Sequence, residues 1–204
     1  MVKQMFEVRD KQMIDALLER VEYGTLAVSY KDEPYAVPLN FVYINDVIYF
    51  HGALRNKKMK MLKQNPKVSF SVVKNYALIA SFFSTTEGLA CPATQFFKSV
   101  SIRGHAQVIE TREEKAMVFE ALMKKLQPEG GYRPFSEDAY DQALRTTAVV
   151  KIVPTSLQCK FKFGQHLTSE RFEMIQSFLK ERHTKVDQET LEMMNILRGT
   201  VGHV

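Results

Sequence analysis

The sequence predicts a mainly β (α+β) protein: a six-stranded antiparallel barrel with peripheral helices and a C-terminal helical extension. Three observations lead there. Six short segments rich in β-branched and aromatic residues are separated by turn signals. Amphipathic helical patterns flank and follow them instead of alternating regularly with them. No internal repeat or Gly-x-Gly-x-x-Gly loop suggests a solenoid or a doubly wound sheet.

Taken in order, Asp10 is placed to cap a helix whose Met13, Ile14, Leu17, Leu18 and Val21 share one face, with Gly24 as its stop. Thr25–Tyr30 reads as a strand and Lys31–Pro34 as a polar turn. Tyr35–Ile44 is the second strand. Pro38 interrupts it, marking an edge, a bulge, or a place where a ligand replaces a neighbouring strand. Asn45-Asp46 turns the chain into Val47–Phe50. Val68–Val73 and Ser99–Glu110 follow as strands, the latter bent at Gly104, with an irregular stretch from Lys74 to Lys98 between them. Thr111-Arg-Glu-Glu114 has the form of a capping box before a helix that points Val118, Phe119, Leu122 and Leu126 inward. A short helix from Ser136 to Leu144 precedes the sixth strand, Thr146–Val153, which Pro154 should close. The expected division is therefore a barrel domain over 1–154 and an extension over 155–204. The extension holds a helix capped by Thr168 or Ser169 and another starting at Asp187 and ending before Gly199.

Charge concentrates in one place. From His51 to Lys74 there are Arg55, Lys57, Lys58, Lys60, Lys63, Lys67 and Lys74, and no acid, against a net charge of +5 for the whole chain. A strand ending in His51, a turn at Gly52 and Asn56, and a helix opening with Lys57-Lys58 suit an anion, because free backbone N–H groups and the helix dipole converge there. The same run also reads as a solvated basic face, with Lys slightly unfavourable at a helix start. Lys160 and Lys162 read as solvated cations, or as a nucleic-acid contact.

Other chemistry is thin. His51, His105, His166, His183 and His203 are scattered, and no His-Glu-x-x-His, paired-Cys or Gly-x-Ser-x-Gly pattern supports a metal or a hydrolase. Cys91 and Cys159 make no disulfide framework, and the N-terminal residues lack the apolar run of a signal peptide, so a cytoplasmic protein without a membrane span is expected.

Several patterns coincide in order: Gly24–Ser29, Tyr35–Phe41, Tyr49-Phe-His-Gly-Ala53, Lys57-Lys58, Asn65-Pro66-Lys-Val68, Cys91-Pro-Ala-Thr-Gln-Phe-Phe-Lys-Ser-Val100 and Gly104-His-Ala106. Over roughly Arg9 to Val153 the chain resembles the pyridoxamine 5'-phosphate oxidase-like split-barrel flavoproteins, most like the nitroimidazole-resistance (Nim-type) branch. The tail Lys160–Gln165 with Glu170-Arg171 resembles a terminal element of flavin-binding negative regulators.

The resemblance implies a six-stranded antiparallel split β-barrel, homodimeric, with FMN at the subunit interface. It assigns Val37, Pro38, Leu39, Asn40 and Phe41 to the strand along the isoalloxazine. Lys57 and Lys58 go to the flavin phosphate, His51 to the ring side as candidate catalytic residue, and Lys98 and Ser99 to the close of the cofactor site. Asn56 stands where the family usually has Gly, a change that Asn's tolerance of left-handed backbone would ease. Phe97 stands where Tyr is common. The implied function is FMN-dependent reduction of small (nitro)aromatic compounds, with NAD(P)H as electron donor. A flavin-binding regulator without turnover and a haem-handling protein using His51 or His166 are the alternatives. True pyridoxamine phosphate oxidation is disfavoured, because the terminal Trp- and Arg-containing pattern is missing.

Overall fold

The computed structural model of the protein describes residues 4–201, so His203 lies outside the described residues. Seven strands form one mostly antiparallel sheet in the order β2-β1-β5-β6-β7-β4-β3. They are β1 (Tyr23–Tyr30), β2 (Glu33–Asn40), β3 (Val42–Ile44), β4 (Val47–Ala53), β5 (Lys67–Ile79), β6 (Thr94–Val108) and β7 (Thr147–Lys162). The helices are α1 (Lys11–Arg20), α2 (Lys57–Gln64), α3 (Arg112–Leu126), α4 (Asp141–Thr146), α5 (Ser169–Arg182) and α6 (Lys185–Val201). Among the described residues no helix is long and apolar enough to cross a membrane.

There are seven strands and not six because Tyr35–Ile44 breaks at Phe41 into β2 and β3, which occupy opposite edges of the strand order. The turn at Asn45-Asp46 is present as expected, and the one expected over Lys31–Pro34 is tighter, because Glu33 and Pro34 already pair in β2. Lys31-Asp32 and Asn45-Asp46 have φ of 48° and 61°, and of 49° and 67°, the left-handed pair that matches the twist of a tight hairpin. Pro38 sits opposite Thr25 on the edge strand β2, where a missing N–H breaks no ladder on the outer side.

The chain divides into two compact units. One comprises 11–72 and 100–157, the other 1–10, 73–99 and 158–204. In the first, alternation along β1 buries Leu26 and Val28, and pairing with β5 sets Leu26 opposite Phe70. Gly24 is not a helix stop: α1 ends at Arg20, and a Cβ on Gly24 would lie 2.1 Å from the Phe70 ring. On the face of β4 turned toward α3, Val42, Tyr49, Ile109, Val118, Leu122 and Val149 form a buried cluster. Thr111 precedes α3 without a side-chain cap bond; Glu114 instead pairs with Lys151 at 3.2 Å, so the capping box does not form. Strand β7 continues through Pro154, because its ladder with β4 spans only Thr147 to Ile152.

In the second unit, Phe96, Phe161, Phe163, Phe172, Ile175 and Leu179 are buried together. Thr168 caps α5, its side chain accepting from Arg171 N. Helix α6 starts at Lys185 and runs through Gly199. Asp187, fully buried, accepts from Arg182 Nε at 2.9 Å and from Thr184 N at 3.1 Å, while Thr184 Oγ1 accepts from Asp187 N. That arrangement is a capping box the sequence reading missed.

Candidate functional site

Strand alternation builds the first half of the site. Tyr49 and His51 point to the same side of β4, so His51 continues the face covered by α3 and lies against Phe119, with ring centroids 5.3 Å apart. Phe119 stacks on Phe135 at 5.5 Å, and Phe135 on Tyr140 at 4.3 Å. The exposed edge of His51 thus begins a row of aromatic rings that periodicity along β4 alone could not reveal. Its Phe135 comes from the loop after Gly130-Gly131 and Pro134, and its Tyr140 from the short 3-10 helix Asp138–Tyr140, inside the stretch read as one helix from Ser136 to Leu144.

The second half is the turn into α2. Asn56 is extended (φ −150°, ψ 175°), not left-handed, and caps the helix: its Oδ1 accepts from Met59 N at 2.9 Å and its Nδ2 donates to Ala53 O at 2.9 Å. Asn replaces Gly here as a cap, so its left-handed tolerance is not what the site uses. With Met59 N and Lys60 N taken by Asn56, the N–H groups of Lys57 and Lys58 are left without intrahelical acceptors. The helix stops as expected. Asn65 Nδ2 donates to Ser29 O at 2.9 Å, and Asn65 Oδ1 accepts from Lys67 N across Pro66.

The two lysines are not equivalent. Lys57 Nζ is 2.5 Å from Glu33 Oε1 and lies over the Tyr35 ring at 5.0 Å; both partners of the ion pair are exposed. Lys58 has no carboxylate partner among the described residues. It is half-buried, folds back over Gly52 and lies 5.9 Å from the Phe50 ring centroid. A Cβ on Gly52 would stand 2.8 Å from Lys58 Nζ, so the glycine leaves the space the ammonium fills. Burial pushes the Lys58 pKa down. The His51 pKa is lowered first by packing around the ring and then by the Lys58 charge. A neutral imidazole therefore stands beside an uncompensated cation at neutral pH.

Val37 to Phe41 present backbone more than side chains. Pro38 is exposed, Val37 and Asn40 are half-buried, and Leu39 and Phe41 belong to the core. Phe41 packs edge-on to Phe70 at 5.1 Å. Where β2 gives way to β3, Lys125 Nζ donates to Val21 O at 2.6 Å and to Phe41 O at 3.2 Å, and sits 4.2 Å from the Phe41 ring centroid. Because β2 is an edge strand, half of its backbone polar groups face away from β1.

Lys98 and Ser99 lie on β6 in the other unit. Lys98 Nζ is 4.7 Å from the Phe161 ring centroid and 5.4 Å from that of Tyr76. Phe97 is half-buried beneath Lys160 at 5.2 Å. Lys162 is not on a solvated face: it is half-buried and donates to Thr94 Oγ1.

The residues present suit a flavin mononucleotide. A dianionic phosphate matches Lys58, which has no carboxylate partner among the described residues, and the two open N–H groups, and a flat ring matches the outer side of the edge strand β2, where Pro38 carries no N–H.

Residues 10–161 match the model of the pyridoxamine 5'-phosphate oxidase family. No curated protein matches the sequence. Among solved structures, a candidate 5-nitroimidazole antibiotic resistance protein from Bacteroides thetaiotaomicron is 24% identical over 76% of this chain and 85% of that chain, with a TM-score of 0.62. The flavocytochrome Anf3 from Azotobacter vinelandii is 20% identical over 80% and 73%, with a TM-score of 0.65. The FAD and haem binding protein from Mycobacterium smegmatis is 19% identical over 78% and 74%, with a TM-score of 0.63. These likenesses establish the split-barrel fold, and with the family match covering most of its length, the chain belongs to the pyridoxamine 5'-phosphate oxidase family.

Proposed function

We propose that this chain is an FMN-binding oxidoreductase, acting as a homodimer, that reduces small (nitro)aromatic compounds with electrons from a nicotinamide cofactor. One observation carries the reading: Lys58, half-buried and without a carboxylate partner among the described residues, lies over Gly52 at the open N-terminus of α2, next to His51.

When bound, FMN supplies the electron transfer. The chain's own residues bind and orient. Lys58 and the Lys57 and Lys58 N–H groups donate to the phosphate, each charge-assisted bond contributing about 1.5–3 kcal/mol. Lys57 joins by sharing its exposed pair with Glu33, which costs little. Val37 to Phe41 offer an edge backbone for the ring, the family resemblance adds Lys98 and Ser99 as cofactor contacts, and the neutral imidazole of His51 accepts or returns a proton at the substrate. Exposed Tyr23 and Leu54 are apolar surface suited to the partner copy. The name of the Bacteroides neighbour supports the nitroaromatic substrate class.

The test is to purify the protein, add FMN and record the visible spectrum, then follow nitroaromatic reduction with NADH and NADPH while measuring mass in solution. A yellow dimer with turnover is expected; a colourless protein that takes up no FMN overturns the reading. A second reading, flavin with haem, draws on the names of two neighbours and on the exposed ring edge of His51. A haem titration without a Soret band removes it.

A further inference from the structure

We infer that the unit containing the C-terminal segment holds a second ligand site, a pocket for a small amphipathic anion with a carboxylate or phosphate head and an apolar body. The pocket has a volume of about 510 Å³, within the range of sites for small organic ligands. Its polar wall carries Lys162, His166 and Arg171; its apolar wall includes Phe96, Leu167 and Ile175; and among the described residues no Asp or Glu lines it.

Two of the cations are held in place but not neutralised. Lys162 Nζ donates to Thr94 Oγ1 and has no carboxylate partner among the described residues. Burial, and then the charge of Lys160, lower its pKa. Arg171 is anchored through Nε to Ser84 O at 2.9 Å, leaving its terminal nitrogens without a protein acceptor among the described residues. His166 is fixed edge-on to Phe6, with ring centroids 5.4 Å apart. A half-buried Lys and Arg with ordered stems and no counter-ion among the described residues form a preorganised site in which an anion recovers what burial has cost the cations. The buried ring of Phe96 and side chain of Ile175 give the rest of the ligand an apolar surface. Gly164 permits the turn that brings these residues together: it has φ +82°, and a Cβ there would lie 3.2 Å from the Phe96 ring.

Cys91 also lines the pocket and is exposed, whereas Cys159 is buried and its thiol is pushed up to about 12. Cys91 is therefore a built-in reporter and Cys159 an internal control.

The experiment uses the full chain saturated with FMN. Benzoate, phenyl phosphate and neutral benzyl alcohol are titrated by calorimetry, and iodoacetamide labelling of Cys91 is timed with and without each. Both anions should bind at least about tenfold more tightly than benzyl alcohol and slow Cys91 labelling; their ranking separates a carboxylate ligand from a phosphorylated one. Lys162→Met should weaken anion binding about tenfold or more while leaving FMN uptake unchanged. Equal binding of benzyl alcohol, or unchanged anion binding in folded Lys162→Met, overturns the proposal. Should that variant fail to fold, the wild-type comparison of anion with alcohol and the Cys91 labelling still decide. If the chain takes up no FMN, the titration is run without it, so the two readings fail separately.

Discussion

Gly52 and Lys58 share one space: a methyl group on the glycine would stand 2.8 Å from the lysine Nζ. The obstructing atom is the end of a flexible chain, so Gly52→Ala should fold with nearly unchanged Tm while displacing the ammonium. FMN affinity should fall about tenfold, the loss of one charge-assisted bond. Fluorescence quenching of FMN on titration measures it.

The two lysines should separate under mutation. Lys58→Ala removes the cation that has no carboxylate partner among the described residues and should weaken FMN about tenfold or more. Lys57→Ala removes a cation already paired with exposed Glu33 and should cost less than half as much in free energy. Equal losses in the two variants would refute the assignment of Lys58 as the principal phosphate ligand.

Lys58 is one of the two causes that depress the His51 pKa. Lys58→Met should raise it, read by NMR titration of the imidazole in the ligand-free protein. The linkage sign follows from the depressed value. Between the folded pKa and the ordinary value near 6.5 the unfolded chain binds more protons. The His51 contribution to stability therefore falls as pH drops through that window, and this dependence should shrink in Lys58→Met.

Lys125 joins the end of α1 to the β2–β3 break. Lys125→Met should destabilise the fold by about 2 kcal/mol in urea unfolding, since the carbonyls of Val21 and Phe41 lose their shared donor. Burial lowers the Lys125 pKa to about 8. Between about 8 and the ordinary value near 10.4 the unfolded chain binds the extra proton. Wild type should therefore gain stability over Lys125→Met as pH rises through that window.

Asp187 is held at a pKa of about 2, chiefly by Arg182 and then against the cost of its own burial. Its stabilising contribution is present above the unfolded value near 3.9 and is lost as pH falls toward 2. Asp187→Asn should cost about 2 kcal/mol or more at pH 7, and the gap to wild type should narrow in acid, checked by denaturation at pH 7 and pH 3.

Much of this was legible in the chain. The period-two burial of Leu26 and Val28, the turn at Asn45-Asp46 and a turn beginning at Lys31, the stop at Asn65-Pro66 and the basic opening of α2 are local: neighbouring residues and backbone sterics determine them. Those local features, in order, sufficed for the family. The remainder depends on pairs distant in sequence. Glu33 pairs with Lys57, while Lys58 has no carboxylate partner among the described residues; Phe70 explains Gly24; Lys151 draws Glu114 out of its capping box; the end of the β4 ladder lets β7 pass Pro154; and Lys162 and Arg171 face one pocket. No window of sequence contains both members of such a pair, and a charge or a glycine takes its meaning from whichever partner the fold brings to it.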